Sequence, residues 1–168
     1  MNCPACNNEM KALSVTGVKV QACEGSCGGL WFEWREIKKL KDRIAGAGAV
    51  LLHVERAEGV HIFRDVQHPC PHCIHSLLYR HCFSREFHYE IDQCAKCAGF
   101  WVDVGALSGL PLQSPTEKDR QKAAAYFKNL FEKNLKPQHL AHPDTHEAAQ
   151  TIHQLYRFFT PPTLFPAE

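Results

Sequence analysis

The sequence has no long apolar run and almost no excess charge. Its longest mostly apolar stretch, residues 44–54, is interrupted by Gly46, Gly48 and His53, far short of the roughly 18 consecutive apolar residues of a membrane span. Nineteen basic residues stand against eighteen acidic ones, a formal charge of +1. This balance excludes a polybasic membrane binder and an acidic disordered tail. We therefore expect no membrane partner.

We also expect no N-terminal targeting segment. Met1-Asn2-Cys3 leaves no room for a charged region followed by an apolar one, so we expect a cytoplasmic protein. In that compartment clustered cysteines are metal ligands or catalytic thiols more often than disulfides. What the sequence does have is nine cysteines and eleven histidines among 168 residues, and the positions of the cysteines are informative.

Eight of the nine cysteines lie in two copies of one motif. Each copy has a Cys-Pro-x-Cys pair, a spacer of 16 or 20 residues, a second cysteine pair, and then a glycine, an apolar residue and a tryptophan. Such a long pattern does not recur by chance. The cysteines are Cys3, Cys6, Cys23 and Cys27 in the first copy and Cys70, Cys73, Cys94 and Cys97 in the second.

The spacing of the cysteines predicts two metal sites. Two cysteines on one tight turn present two sulfurs to an ion, and two facing turns complete a closed tetrahedral shell of four thiolates. Zinc and rubredoxin-like iron both accept this shell. Between the pairs, the alternation of Val18 and Val20 with polar residues, and of Tyr89 and Ile91 likewise, predicts a β-hairpin in each copy. Each hairpin has too few apolar residues to fold alone, so the metal must supply the difference.

Both copies resemble the bacterial TFIIB-type zinc-ribbon family, whose pattern is Cys-Pro-x-Cys, a hairpin, Cys-x-x-Cys-Gly-Gly-x-Trp-x-Asp and the start of a Glu-Leu helix. The resemblance covers about half the chain, residues 1–43 and 68–111, and it implies zinc, two ions per chain, and a transcription-related role in nucleic-acid binding. This sequence departs from the pattern with three residues between Cys23 and Cys27, and with Ala98 and Ala106. Besides the cysteines, the residues that carry the resemblance are Trp31, Glu33 and Glu36 in the first copy and Trp101 and Asp103 in the second.

Other readings of the cysteines and histidines are weaker. The string from Cys70 to Cys73 also occurs in oxidising thioredoxin-like proteins, but a thioredoxin motif begins a long helix, whereas a hairpin is predicted here. Cys82, the ninth cysteine, has no counterpart in the first copy and is predicted to be a half-buried apolar thiol. The histidines near the C-terminus are predicted to lie on a solvated helix face. The alternative is a further, weaker metal site there, besides the two four-cysteine sites.

The rest of the chain is predicted to be helical. Ile37, Leu40, Ile44, Ala47 and Leu51 form a stripe at helical spacing. Capping boxes at Ser114 and Asp144 predict two C-terminal helices, expected to form an antiparallel pair. The predicted fold is a small α+β protein with two four-cysteine zinc ribbons, each a β-hairpin plus a short helix. Its segments are ribbon 1 with the following helix (1–45), a linker with helix and strand character (46–67), ribbon 2 (68–112), and a helical hairpin with a loose tail (113–168).

The function predicted from these features is that of a non-catalytic, zinc-stabilised binding module. The predicted sites have no open coordination position and no catalytic triad or carboxylate pair beside them, so we expect no enzyme and no small-molecule substrate. If all eight ligands bind as thiolates, each zinc site carries −2 and the chain charge falls from +1 to −3, which disfavours phosphate binding. We therefore expect a protein partner; nucleic-acid binding is the alternative, and an iron or thiol redox protein the second alternative. The residues predicted to contact phosphate or a partner are Lys38, Lys39, Lys41 and Arg43.

Overall fold

The computed structural model describes residues 1–60, 62, 66–82, 90–105, 151, 154–155 and 157–160, with the backbone alone at 81, 82 and 90. Within these residues the secondary structure is mostly strand. In ribbon 1 the strands are β1 (Lys11–Val15), β2 (Val18–Ala22) and β3 (Leu30–Phe32); in ribbon 2 they are β4 (Leu78–Cys82), β5 (Glu90–Cys94) and β6 (Phe100–Val102). From here on, ribbon 1 means residues 2–37 and ribbon 2 means residues 68–105.

The first hairpin closes with a two-residue turn. Val15 pairs with Val18, and Thr16 and Gly17 between them have φ angles of 49° and 80°. Positive φ at both central positions is typical of the two-residue hairpin turn whose twist matches that of the flanking strands. In ribbon 2, β4 and β5 pair antiparallel from Leu78 opposite Cys94 to Cys82 opposite Glu90.

The two ribbons join edge to edge in one antiparallel sheet. The strand order is β1-β2-β3-β6-β5-β4, so the last strand of each ribbon pairs with the last strand of the other. Trp31 lies opposite Trp101 in this central pairing, with Leu30 opposite Val102 and Phe32 opposite Phe100. Since Trp31 and Trp101 hold the same position in the repeat, the register relates the ribbons by a pseudo-two-fold axis between the tryptophans.

The two faces of the sheet carry different cores, because side chains alternate along each strand. One face is aliphatic and aromatic, and Leu155, Phe158 and Phe159 near the C-terminus belong to the same buried cluster. Phe32 makes edge-to-face contacts there with Phe158 and Phe159, at centroid distances of 6.4 and 5.9 Å. The opposite face holds both tryptophans and all eight motif cysteines; it is called the metal face below.

The stripe from Ile37 to Leu51 does not form the continuous helix that its spacing predicts. The chain makes one α-helical turn, α1 (Trp34–Ile37), and two 3-10 segments, Leu40–Asp42 and Ala49–His53, and Ile44 is 78% exposed. The break in the helix allows this stretch to pack against residues near the C-terminus. Gly48 N donates to Phe158 O at 2.8 Å, and a Cβ on Gly48 would lie 2.1 Å from the Phe158 ring.

Most of the predicted C-terminal helix pair lies outside the described residues. The first helix, predicted from Ser114 to about Leu135, falls there entirely. Of the second, Thr151 and residues 154–155 and 157–159 are helical. The segment boundaries and the helix pair therefore stay predictions. Among the residues that the structure describes, no helix has the length and apolar character to cross a membrane.

Candidate metal centres

The structure brings the eight motif cysteines together in two tetrads. Within each tetrad the four Sγ atoms lie within 4.8 Å of one another. In the first, Cys3 Sγ is 3.4 Å from Cys27 Sγ, and Cys6 Sγ is 3.4 Å from Cys23 Sγ. In the second, the Sγ atoms of Cys70 and Cys97 are 3.7 Å apart. Each tetrad thus takes one cysteine pair from either side of a hairpin.

These distances fit a tetrahedral four-thiolate zinc site. A Zn–S bond of about 2.3 Å places the sulfurs of a regular tetrahedron about 3.8 Å apart, close to the separations above. A disulfide would need about 2.05 Å. The donor set is also the one that closed structural zinc sites use.

The electrostatics of the tetrads call for a cation. The contact with Cys27 lowers the pKa of Cys3 to about 5, while the same contact raises the pKa of Cys27 above its ordinary range. Burial raises the pKa of Cys23 to about 11. In the second tetrad, burial also raises the pKa of Cys97. Neighbouring sulfurs therefore share protons rather than ionise together, and a divalent ion is what allows four thiolates at this distance.

The second pair of cysteines in each ribbon sits on a turn, called knuckle 1 (residues 23–29) or knuckle 2 (residues 94–99). Both knuckles close with the same backbone bond: Cys23 N donates to Gly29 O, and Cys94 N to Gly99 O, each at 2.9 Å. The extra residue between Cys23 and Cys27 is therefore absorbed inside knuckle 1, where Gly25 has a φ of 69°.

The glycine missing from the second copy has a structural cost. Gly28 has a φ of 74°, and Ala98, at the corresponding position, has a φ of 53°. A left-handed conformation is strained for a residue with a Cβ. Knuckle 2 thus retains the conformation of knuckle 1 against the local preference of its sequence.

Hydrogen-bond donors surround the sulfurs. Gly29 N donates to Cys27 Sγ at 3.4 Å, and Cys73 N donates to Cys70 Sγ at 3.2 Å. A serine hydroxyl lies beside each tetrad, Ser26 Oγ 3.5 Å from Cys6 Sγ and Ser76 Oγ 3.4 Å from Cys94 Sγ. Such donors stabilise thiolate and orient the ligands.

Each tryptophan packs on the glycine before the tryptophan of the other ribbon. A Cβ on Gly29 would lie 2.7 Å from the Trp101 ring, and a Cβ on Gly99 would lie 2.3 Å from the Trp31 ring. Both indole nitrogens are buried, and neither has a hydrogen-bond partner among the described residues. The Gly-x-Trp part of the motif therefore forms the joint between the ribbons.

A buried charged group in ribbon 2 was not predicted from the sequence. His68 Nδ1–H donates to Asp92 Oδ2 at 2.9 Å, and Arg80 Nε donates to Asp92 Oδ1 at 2.9 Å. Burial would raise the pKa of Asp92, but the bonds from His68 and Arg80 hold it below its ordinary value. No sequence signal pointed to this group, because ribbon 1 has Ala12 and Gln21 where ribbon 2 has Arg80 and Asp92.

Replacing Asp92 with asparagine should destabilise the zinc-loaded protein by about 2 kcal/mol. The amide keeps the size of the carboxylate, but it cannot accept charge-assisted bonds from both His68 and Arg80. Urea unfolding at pH 7 measures the change, and Asp42→Asn, at an exposed position, is the matched control. Equal stability of the two variants would show that the charge on Asp92 contributes nothing.

Three of the four basic residues predicted to contact phosphate or a partner have contacts within the fold. Lys38 Nζ lies 4.8 Å from the centre of the Trp34 ring, and Lys39 Nζ forms an ion pair with Glu36 at 2.7 Å. Arg43 is half-buried over the Gly17 turn, and Lys41 is exposed. The assignment of these residues to a partner stays a prediction.

Comparison with known proteins finds one similarity. A family model described as a transcription factor zinc-finger, of the TFIIB zinc-ribbon type, matches residues 2–43. The match takes in the whole first tetrad and Trp31, whereas the second copy rests on the geometry above. No curated protein and no solved structure gave a match.

The fold and its sites define a protein with two four-cysteine metal centres, the first of them in a segment that resembles a zinc ribbon. The first ribbon resembles the TFIIB type in sequence, and both tetrads have the donors and spacing of a zinc site. The chain therefore carries two zinc sites, one in each ribbon.

Proposed function

We propose that the protein is a non-catalytic, zinc-stabilised module that binds a protein partner in the cytoplasm. The observation that carries the proposal is the closed geometry of both tetrads. Four thiolates fill the coordination of each zinc, and five of the eight cysteines are at most 8% exposed. A catalytic zinc needs an open position for water or substrate, so these sites are suited to holding a scaffold together.

The distribution of charge supports a protein partner over a nucleic acid. Binding to phosphates depends on free lysine and arginine side chains. Beside ribbon 1, Lys38 lies on Trp34 and Lys39 is paired with Glu36. The zinc–thiolate centres add −2 each to a chain of charge +1, which further weakens attraction to a polyanion.

Transcription-related nucleic-acid binding is the second candidate. It is supported by the description of the family that residues 2–43 match. Ribbons are also common as scaffolds without nucleic-acid contacts, so the description alone does not decide between the two candidates.

The proposed function predicts that the chain captures a protein and that this capture persists after nuclease treatment. Tagged, zinc-loaded protein is incubated with native cytosol with and without nuclease, and a captured protein is then purified and recombined with the chain. We expect a stoichiometric complex from the two pure components. The matched control is protein stripped of zinc by a chelator, which should not form it.

Two results would contradict the proposal. One is loss of every captured protein on nuclease treatment. The other is a gel shift of DNA or RNA that persists at about 150 mM salt, where non-specific binding is weak. Either result would favour the second candidate.

A further inference from the structure

Two equivalent grooves lie on either side of the pseudo-two-fold axis. Each runs between the knuckle of one ribbon and the residues after the tryptophan of the other. Groove 1, a cleft of about 360 Å³, lies between Cys27 and the pair Asp103 and Gly105, and one of its walls is formed by the linker residues Arg56, Ala57, Val60 and Ile62. Groove 2, of about 420 Å³, lies between Cys97 and Glu33–Arg35, and His72 also lines it. In the repeat, Cys27 corresponds to Cys97, Asp103 to Glu33 and Gly105 to Arg35, so the grooves are symmetry-related.

The linker between the ribbons runs along groove 1 as an extended segment. Residues 55–57 pair with knuckle 1: Gly25 N donates to Glu55 O at 2.8 Å, and Ala57 N donates to Ser26 O at 2.9 Å. Ser26 and Arg56 form a parallel β-bridge. Further along, Val60 and Ile62 pack against the cluster of the metal face.

An arginine anchors the linker in groove 1. A Cβ on Gly28 would lie 2.7 Å from Arg56 Cγ, so the arginine stem lies directly on the knuckle. Arg56 Nη1 and Asp103 Oδ1 both lie within 2.9 Å of the point that a Cβ on Gly105 would occupy. The guanidinium and the carboxylate therefore lie on the same side of groove 1, with opposite charges facing the same space.

Groove 2 is lined by the counterparts of Cys27, Asp103 and Gly105, and no linker residue lines it. Among the described residues, no backbone segment pairs with knuckle 2 as residues 55–57 pair with knuckle 1. The exposure of the ligands reflects this difference: Cys27 is 4% exposed, whereas its counterpart Cys97 is only half-buried. Glu33 and Arg35 are exposed, and Trp34 is half-buried.

We propose that groove 2 binds an extended segment of a partner protein that carries an arginine. The segment adds to knuckle 2 through backbone hydrogen bonds, as a strand adds to a sheet edge, and its arginine pairs with Glu33. This inference rests on the proposed function, since it names the surface and the kind of segment that a protein partner would use.

The differences between the grooves are consistent with this occupant. Ala98 replaces Gly28, so an arginine placed as Arg56 is would meet the Ala98 methyl group and must lie about 1 Å further from the knuckle. Glu33 is one methylene longer than Asp103 and reaches that much further. Trp34 adds an aromatic wall that groove 1, with Val104 and Gly105, does not have. The like charge of Arg35 confines the arginine of the segment to the Glu33 side of the groove.

The probe is a labelled peptide with the sequence of residues 54–62, added to the zinc-loaded full chain. Fluorescence anisotropy should show one peptide bound per chain, with a Kd of about 10–100 µM, as for a short contact of small area. Replacing the peptide arginine with glutamate should weaken binding about tenfold or more. The protein variant Glu33→Lys should weaken it equally, while Glu9→Lys, an equal charge change at an exposed position outside the groove, should not.

A charge exchange makes the assignment specific. The Glu33→Lys chain should regain affinity for the peptide that carries glutamate instead of arginine. No binding by the wild-type chain, or equal binding by Glu33→Lys, would overturn the groove 2 proposal, including the case in which the chain's own residues or a second copy occupy the groove. Zinc content and circular dichroism show that each variant is folded.

Different experimental results would contradict this inference and the proposed function. If the Glu33→Lys chain still forms the stoichiometric complex with a captured protein, the protein-binding role stands and groove 2 is not its surface. If the wild-type chain binds the peptide but forms no complex with any protein, groove 2 is a site for an arginine-bearing segment, and the proposed function fails.

Discussion

Removing zinc should unfold both ribbons together. Structural zinc contributes apparent binding free energies of about 10–16 kcal/mol per site, whereas a small domain has a net stability of about 5–15 kcal/mol. Loss of two ions therefore exceeds the stability of the whole fold. On incubation with a chelator, we expect the near-ultraviolet circular dichroism of the tryptophans and the cooperative unfolding transition to disappear, with about two zinc ions released per chain.

Loss of zinc from one tetrad should also destabilise the other ribbon. Cys94 is fully buried, and β5 carries it next to β6, which pairs with β3 of ribbon 1. Cys94→Ser should empty the second tetrad and also lower the thermal stability of ribbon 1, because Trp31 packs on Gly99 of knuckle 2. Cys82→Ser is the matched control, since Cys82 lies outside both cysteine motifs of the sequence. For zinc removal, the contradicting result is a zinc-free chain that still unfolds cooperatively at the temperature of the zinc-loaded chain. For Cys94→Ser, it is unchanged thermal stability of ribbon 1. Iron in place of zinc would contradict the assignment of the metal.

Replacing Gly99 with alanine should destabilise the zinc-loaded protein by about 3–4 kcal/mol, at the upper end for overpacking. The added methyl would lie 2.3 Å from Trp31 Cζ2 and 3.1 Å from Phe32 O, so both a buried ring and a neighbouring backbone must move. Trp31 and Phe32 belong to a strand that is buried and paired on both of its edges, so the ring and the backbone have little room to move. Unfolding in urea, followed by tryptophan fluorescence, measures the change.

The control for Gly99→Ala is Gly25→Ala, where nothing lies within 4 Å of the new methyl and only the φ of 69° opposes it. That variant should lose only about 1 kcal/mol. A smaller ring should relieve the clash, so Gly99→Ala combined with Trp31→Phe should be less destabilised than the sum of the two changes. Additive effects would show that Trp31 does not pack on Gly99 as described.

The parts of the fold that follow from local sequence could be predicted. The cysteine spacing identified both tetrads, because ligand geometry is fixed by residues close in sequence on one turn. The alternation of Val18 and Val20 with polar residues matches the buried face of β2. These features need only neighbouring residues and a known coordination chemistry.

The parts that depend on contacts between distant segments could not be predicted. The pairing of β3 with β6 involves two strands of three residues each, too short to show a periodic pattern. The stripe from Ile37 to Leu51 has helical spacing, but Gly48 within this stretch packs against Phe158 from the far end of the chain. The ion group of His68, Arg80 and Asp92 joins three separate segments, and the repeat offered no counterpart from which to infer it.

The position of the linker makes the two grooves unequal. Two identical ribbons meeting about a two-fold axis would present two equal grooves, but here residues 55–57 run along one of them. A segment tethered to its own groove acts at an effective concentration in the millimolar range, so a free segment of similar intrinsic affinity cannot displace it. If groove 2 binds a partner segment as proposed, covalent fusion of the repeats converts a symmetric, bivalent arrangement into a monovalent one, with only knuckle 2 left for pairing with another chain.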